Sequence, residues 1–255
     1  MPDASMSGLH PVDLLFGRLS EVAPYPEALG VLPVPERIRG TAFFPGGSGL
    51  WGARPDTPLP AMPTGGVMIL GQDFHSESGY RRSLAAGSES LSSPTWRNLL
   101  PVLKGAGIAP EQCFFTNAYM GLRAGNRATG RYPGARDPDF VERCRRFLGV
   151  QIQAQRPRLV VTLGMHAPAM LAPLSAQLTA WRGAANLAAI DSARASVVIG
   201  ARFDSASDRD AVVVALTHPS QRRLNVGRRC YREVEGDAAE VLMLEEAVRA
   251  SGIGA

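Results

Sequence analysis

Lysine is almost missing from this chain. Of its 27 basic residues only Lys104 is lysine; the others are arginine. Arginine suits phosphate geometry, but in an alanine-rich chain coding bias produces the same pattern, so the composition decides little. Cysteine is scarce. Cys113, Cys144 and Cys230 are widely spaced and form no Cys-x-x-Cys pair. They cannot supply a four-cysteine zinc or iron–sulfur site, and free buried thiols in a reducing compartment are expected. Long apolar runs are absent: none approaches the ~18 residues of a membrane span. The N-terminus lacks the charged start and apolar stretch of a signal peptide, so a cytoplasmic location is expected. "PGGSG", residues 45–49, is not followed by the Gly-Lys-Ser/Thr of a phosphate loop and reads as a surface turn. No metal or cofactor is expected.

What is present is a chain of 255 residues, 45% hydrophobic, with a net charge of +4. That length accommodates one large α/β domain with a full core. The mild positive charge permits a polyanionic partner without proving one. Residues 1–64 are rich in proline and glycine and read as a wrapping segment, with one short helix in "HPVDLLFGRLSEV".

From residue 65 to 255 the pattern is that of an α/β domain. "VMILG", "CFFTNAY", "RLVVTLG", "ASVVIGARF" and "AVVVALTHP" are strand candidates, the last two separated by the polar turn "DSASDRD". "SPTWRNLLPVLKGAG" predicts a helix capped by Ser93, with Pro94 in its first turn and Pro101 a possible kink. "DPDFVERCRRFLGVQIQAQ" predicts an amphipathic helix capped by Asp137. "HAPAMLAPLSAQL" predicts a proline-interrupted helical region, and "YREVEGDAAEVLMLEEAVRAS" a final helix. Alternation of strands and helices implies a mostly parallel sheet with helices on both faces.

In such sheets ligands bind beyond the carboxyl ends of the strands. There the sequence places Gln72, Asp73, Phe74 and His75, then Asn117, then His166, then His218. Singly, each has a bland reading. Asp73 and Asn117 suit caps or turns, His166 suits packing or capping, and His218 suits a satisfied edge histidine. Their force lies in combination and order.

"LGQDFH", "FFTNAY" and "THPSQRRLN" together resemble the three active-site segments of the uracil-DNA glycosylase superfamily. "SPTWRNLLPVLKGAGI" and "RPRLVVTLGMHAPAML" are similar to its intervening helix and strand. The resemblance runs from about Val67 to Leu244. It implies a monomeric enzyme that removes uracil or a related damaged base from DNA without a cofactor. Asp73 would stabilise an oxocarbenium-like sugar and position water. His218, as a neutral imidazole, would donate to the O2 of the departing base, helped by the amides of Gln72 and Asp73. Asn117 would read the flipped base.

The departures are specific. Phe74-His75 stands where the main branch has Pro-Tyr, so His75 replaces the tyrosine that obstructs thymine's methyl group. The stacking aromatic has no clear counterpart; Phe74 and Tyr80 are candidates, with Trp96 assigned to the core. After His218-Pro219, Ser220, Gln221, Arg222 and Arg223 would meet DNA, where the main branch has a proline and a DNA-entering leucine. The iron–sulfur branches need four cysteines, which this chain lacks. Two other readings stand beside this one. A non-catalytic nucleic-acid binder would use Arg222, Arg223, Arg228 and Arg229. A small-ester hydrolase would need a Gly-x-Ser-x-Gly elbow, which is absent.

Overall fold

The computed structural model of the chain describes residues 9–41, 43–203 and 210–254. Its strands are β1 (Val31–Leu32), β2 (Val67–Gly71), β3 (Cys113–Asn117), β4 (Leu122–Arg123) and β5 (Leu159–Leu163). They continue with β6 (Val197–Ala201), β7 (Ala211–Leu216), β8 (Cys230–Tyr231) and β9 (Val234–Glu235). The helices are α1 (Pro11–Gly17), α2 (Glu77–Ala85), α3 (Pro94–Gly105) and α4 (Pro138–Gln155). They continue with α5 (His166–Leu171), α6 (Leu187–Ser192), α7 (Arg222–Asn225) and α8 (Gly236–Ser251).

Five strands form the central sheet in the order β3-β2-β5-β7-β6. The first four are parallel, and β6 runs antiparallel to β7. Every residue of β2, β3, β5 and β7 is buried. That is why each reads as a continuous apolar run rather than an alternation. Side chains still alternate across the sheet. Met68, Leu70, Phe114, Val160 and Val213 join one core cluster, with Phe140 and Phe147 of α4. Val67, Ile69, Phe115, Val161 and Val214 join the other, with Leu99 of α3 and Met243 of α8. The antiparallel direction of β6 has a simple cause. The connection from Ala201 to Ala211 is shorter than the dozen or more residues a parallel crossover requires. Its turn "DSASDRD", apart from Asp210, lies outside the described residues.

The capping expectations divide. Asp137 accepts the Phe140 N–H at 2.9 Å and caps α4. Ser93 precedes α3 but its side chain makes no capping bond. The final helix starts later than the sequence pattern suggests. Residues 230–235 form the β8–β9 hairpin, because Arg232 and Glu233 both adopt positive φ, 49° and 68°. Two such residues make the tight turn that suits a hairpin and no helix. Short α6 has no clear sequence signature. Cys230 is exposed on that hairpin, contrary to expectation, while Cys113 and Cys144 are buried.

Residues 9–64 contribute to both core clusters: Val12, Leu15, Leu19 and Val31 to one, Val34, Ile38 and Phe43 to the other. "PGGSG" is not a surface turn. Residues 43–50 are buried, and Ser48 is fully enclosed. With little or no side chain there, this backbone can run close against the domain.

Behind β7 lies a buried ionic cluster. Arg229 grips Asp191 through two bonds of 2.9 Å and donates to Glu240 at 2.5 Å and to the Ala215 carbonyl at 2.8 Å. Glu240 also accepts the Thr217 N–H at 2.5 Å and pairs with Arg222. Arg229 is 1% exposed, so it belongs to the core and not to a DNA-facing surface. Removing one member of such a cluster strands the others as buried charges. Arg229→Met is expected to lower stability by about 3–5 kcal/mol. Urea unfolding checks this, and a shift in midpoint corresponding to less than about 1 kcal/mol would show that the cluster is solvated.

Candidate active site

The register of the sheet aligns Gly71 with Asn117 and Leu163 with Leu216. The carboxyl ends of β2, β3, β5 and β7 therefore finish along one edge. A cavity of about 840 Å³ opens there. Its wall takes Gln72, Asp73, Phe74 and His75 from beyond β2, and Asn117 from β3. It takes Gly164, Met165 and His166 from beyond β5, and His218, Ser220 and Gln221 from beyond β7. The three residues to which the resemblance assigns chemistry, Asp73, Asn117 and His218, thus share one cavity.

Asp73 does not stand alone. Arg123 of β4 donates to it through Nε at 2.7 Å and Nη2 at 2.9 Å, a bidentate pair with both side chains nearly buried. The same guanidinium donates to the carbonyls of Thr129, Gly130 and Arg131 at 3.1, 2.7 and 3.2 Å. It therefore folds the 124–132 loop over the carboxylate. Each Asp73 oxygen keeps a further lone pair, so the pair fixes the group without exhausting it. Arg123 was invisible in the sequence. It sits in a two-residue strand, and nothing in "GLRAG" marks it.

His218 has φ −60° and ψ 126°, the extended backbone that Pro219 imposes on its predecessor. Its Nδ1 accepts the Ser220 N–H at 3.3 Å, and the Ser220 hydroxyl lies 2.9 Å away. That arrangement puts the proton of the neutral ring on Nε2. Burial lowers its pKa, opposed by the charge of Asp73, so the ring is neutral at pH 7. Asn98 of α3 fixes the loop by donating to the Pro219 carbonyl at 2.8 Å. Gly164 faces His218, and a Cβ there would lie 3.0 Å from the histidine's own Cβ, at a φ of +76°. His75 repeats the pattern: its Nδ1 accepts the Ser76 N–H at 2.7 Å, and burial is the main cause of its lowered pKa.

Asn117 is buried and donates through Nδ2 to the Phe44 carbonyl at 3.0 Å. One N–H and the carbonyl oxygen remain for a ligand. Gly71 makes room: a Cβ there would fall 2.5 Å from Asn117 Oδ1. The neighbouring Phe43, packed 5.1 Å from the Trp96 ring, also lines the cavity. It was missed because "AFFPGG" read as wrapping chain.

Several expected site residues lie elsewhere. Tyr80 is buried outside the cavity, its hydroxyl donating to the Glu36 carbonyl at 2.6 Å. It is a strut for the N-terminal segment, not a stacking platform. Arg222 turns inward to Glu240 and Asp237. Arg223 is exposed but does not line the cavity. The Ser220 hydroxyl is directed to His218 and not outward. His166, expected to pack or cap, is exposed at the cavity wall. Among the described residues no cluster of three or more metal-binding side chains occurs. No described helix is long and apolar enough to cross a membrane.

The sequence model of the Uracil DNA glycosylase superfamily matches residues 63–237, more than half of the chain. The chain belongs to the uracil-DNA glycosylase superfamily. A search of curated proteins returned no match. Membership supports glycosylase-type chemistry on DNA, and the matched span contains Asp73, Asn117 and His218. It begins after Phe43, so the cavity takes part of its wall from outside the matched segment.

The tautomer of His218 is directly measurable. Histidine ¹⁵N NMR at pH 7 is expected to show a neutral ring protonated on Nε2, with a midpoint below the usual ~6.5. A charged ring at pH 7 would contradict the geometry.

Proposed function

We propose that this chain hydrolyses the N-glycosidic bond of a uracil, or of a related keto base, flipped out of DNA, leaving an abasic site. The observation that carries this reading is the meeting of Asp73, Asn117 and His218 in one cavity at adjacent strand ends. As the bond breaks, positive charge develops on the sugar and negative charge on the base. Asp73, gripped by Arg123 through both oxygens, faces the first and can accept from the attacking water. His218 offers its Nε2–H to the second, as a neutral donor whose bond strengthens as charge builds. Asn117 pairs with the base edge through its remaining N–H and its oxygen. Phe43 and Phe74 provide aromatic wall for the ring.

The DNA-facing loop is read differently once its geometry is known. Leu224 of α7 is 75% exposed, next to Arg223 and near Arg228, both exposed. A bare leucine between cations suits entry into a base stack, with phosphate contacts on either side.

A second reading has its own support. The bidentate Asp73–Arg123 pair is what a structural carboxylate looks like, and it suits a protein that binds the flipped base without cutting. Single-turnover assays on uracil oligonucleotides, with alkali cleavage of abasic sites, decide between them. Asp73→Asn is expected to keep DNA binding and lose most excision. His218→Ala is expected to lower the rate by ~10²–10³. Uracil-selective binding by wild type with no abasic product would establish the binder instead. Leu224→Ala is expected to slow excision from duplex far more than from single strands, which need no wedge. Equal slowing on both would remove the leucine from that role.

A further inference from the structure

One wall of the cavity carries polar groups that the fold satisfies only in part. Glu89 and Ser93 both line it, and Glu89 Oε2 and Ser93 Oγ are buried without hydrogen-bond partners. The indole N–H of Trp96, one turn along α3, faces the Glu89 carboxyl from behind the wall. Buried polar atoms are nearly always paired, so a group of orphans in a cavity wall points to a ligand that completes them. The position is informative. Glu89 faces the backbone N–H of Phe43, and Asn117 donates to the carbonyl of Phe44. The two polar groups therefore bracket the same dipeptide. The cavity, at about 840 Å³, is of the size that takes drug-sized ligands. A single base held by His218 and Asn117 leaves room for contact with this wall.

We propose that Glu89, supported by Ser93, is a second base-reading residue, donating as a neutral carboxylic acid to a carbonyl oxygen of the flipped base. The inference rests on the base-excision reading above and names the class of base selected: keto bases over amino bases. An acid O–H donates to a carbonyl, whereas the same O–H set against an exocyclic amine meets another donor. Burial is the largest influence on Glu89 and pushes its pKa up to about 7; hydrogen bonds from the Trp96 indole N–H and the Phe43 amide pull the other way. Across the cavity, burial lowers the pKa of His75, His166 and His218. Asp73 is paired with Arg123. Glu89 is the wall carboxyl whose protonation a pH range of 6 to 8 spans.

The test uses the full chain and single-stranded oligonucleotides carrying 2′-fluoro-deoxyuridine or 2′-fluoro-deoxycytidine, whose glycosidic bonds resist cleavage. Binding is measured from pH 6 to 8. If only the protonated form is competent, wild-type affinity for the uracil strand should weaken about tenfold over this range. Its preference over the cytosine strand should shrink in step. Glu89→Gln, a permanently neutral donor, should bind as wild type does at pH 6 and show a flat profile. Glu89→Ala with Ser93→Ala should keep only a smaller preference, supplied by Asn117, that does not change with pH. A preference that is present in wild type but unchanged in shape and size by these substitutions overturns the role of Glu89 alone. Glu89-dependent preference without excision of ordinary uracil overturns hydrolysis and leaves the base-reading role standing. No preference in wild type at any pH overturns both.

Discussion

Glu240 is the residue on which the active edge hangs. It is buried on α8, accepts the Thr217 N–H, and pairs with Arg229 and Arg222. Arg229 in turn holds Asp191 of α6 and the Ala215 carbonyl of β7. The end of β7, the start of α7, α6 and α8 therefore share one charged hub. Taking such ions out of water costs several kcal/mol each, and their mutual attraction does little more than repay it. An apolar hub of similar volume would stabilise as well. What the charged hub adds is direction: each bond has one geometry, so Thr217 and the His218 beyond it have one position. Catalytic groups need that degree of placement more than they need stability.

From that fixed loop follows a division of charge inside the cavity. Burial penalises every ion, yet the aspartate and the histidines are partnered in different ways. Arg123 grips both oxygens of Asp73. His218 and His75 have no such partner, and each turns Nδ1 onto a backbone N–H close by. On the base-excision reading proposed above, this arrangement would set a carboxylate beside the sugar and neutral donors toward the base. A charged His218 would bind an anionic base more strongly at the outset, but at the cost of a desolvated ion when the cavity is empty. A neutral ring would avoid that cost and still gain as the bond breaks.

The sequence made this edge legible because parallel buried strands write themselves as apolar runs, and the residue after each run is the one at the edge. Asp73, Asn117 and His218 were found by that rule and by the family resemblance. The rule says nothing of residues that reach the edge sideways. Arg123 arrives from a two-residue strand, Phe43 from an irregular segment, and Glu89 from the loop between α2 and α3. None lies in a period that could reveal it. Nor does proximity in sequence reveal direction. Arg222 and Arg223 are adjacent, yet α7 turns one toward Glu240 and the other to solvent. Tyr80 falls near the first motif, but the Glu36 backbone claims its hydroxyl.

The N-terminal segment deserves its place in the chemistry for a related reason. Asn117 can present a base edge only if its amide is held in one orientation, since rotation by half a turn exchanges donor and acceptor. The Phe44 carbonyl supplies that constraint, accepting from Nδ2 and leaving Oδ1 toward Gly71. Phe44 is itself anchored, its N–H donating to the Phe115 carbonyl on β3 at 3.0 Å. The selectivity of a strand-end residue is therefore set by a segment that joins the sheet from outside its strand order. The neighbouring Phe43 offers its ring to the same cavity and its amide to Glu89. A stretch read as mere wrapping orients one polar group of the cavity and faces another, so its packing and any selectivity of the cavity are one physical problem.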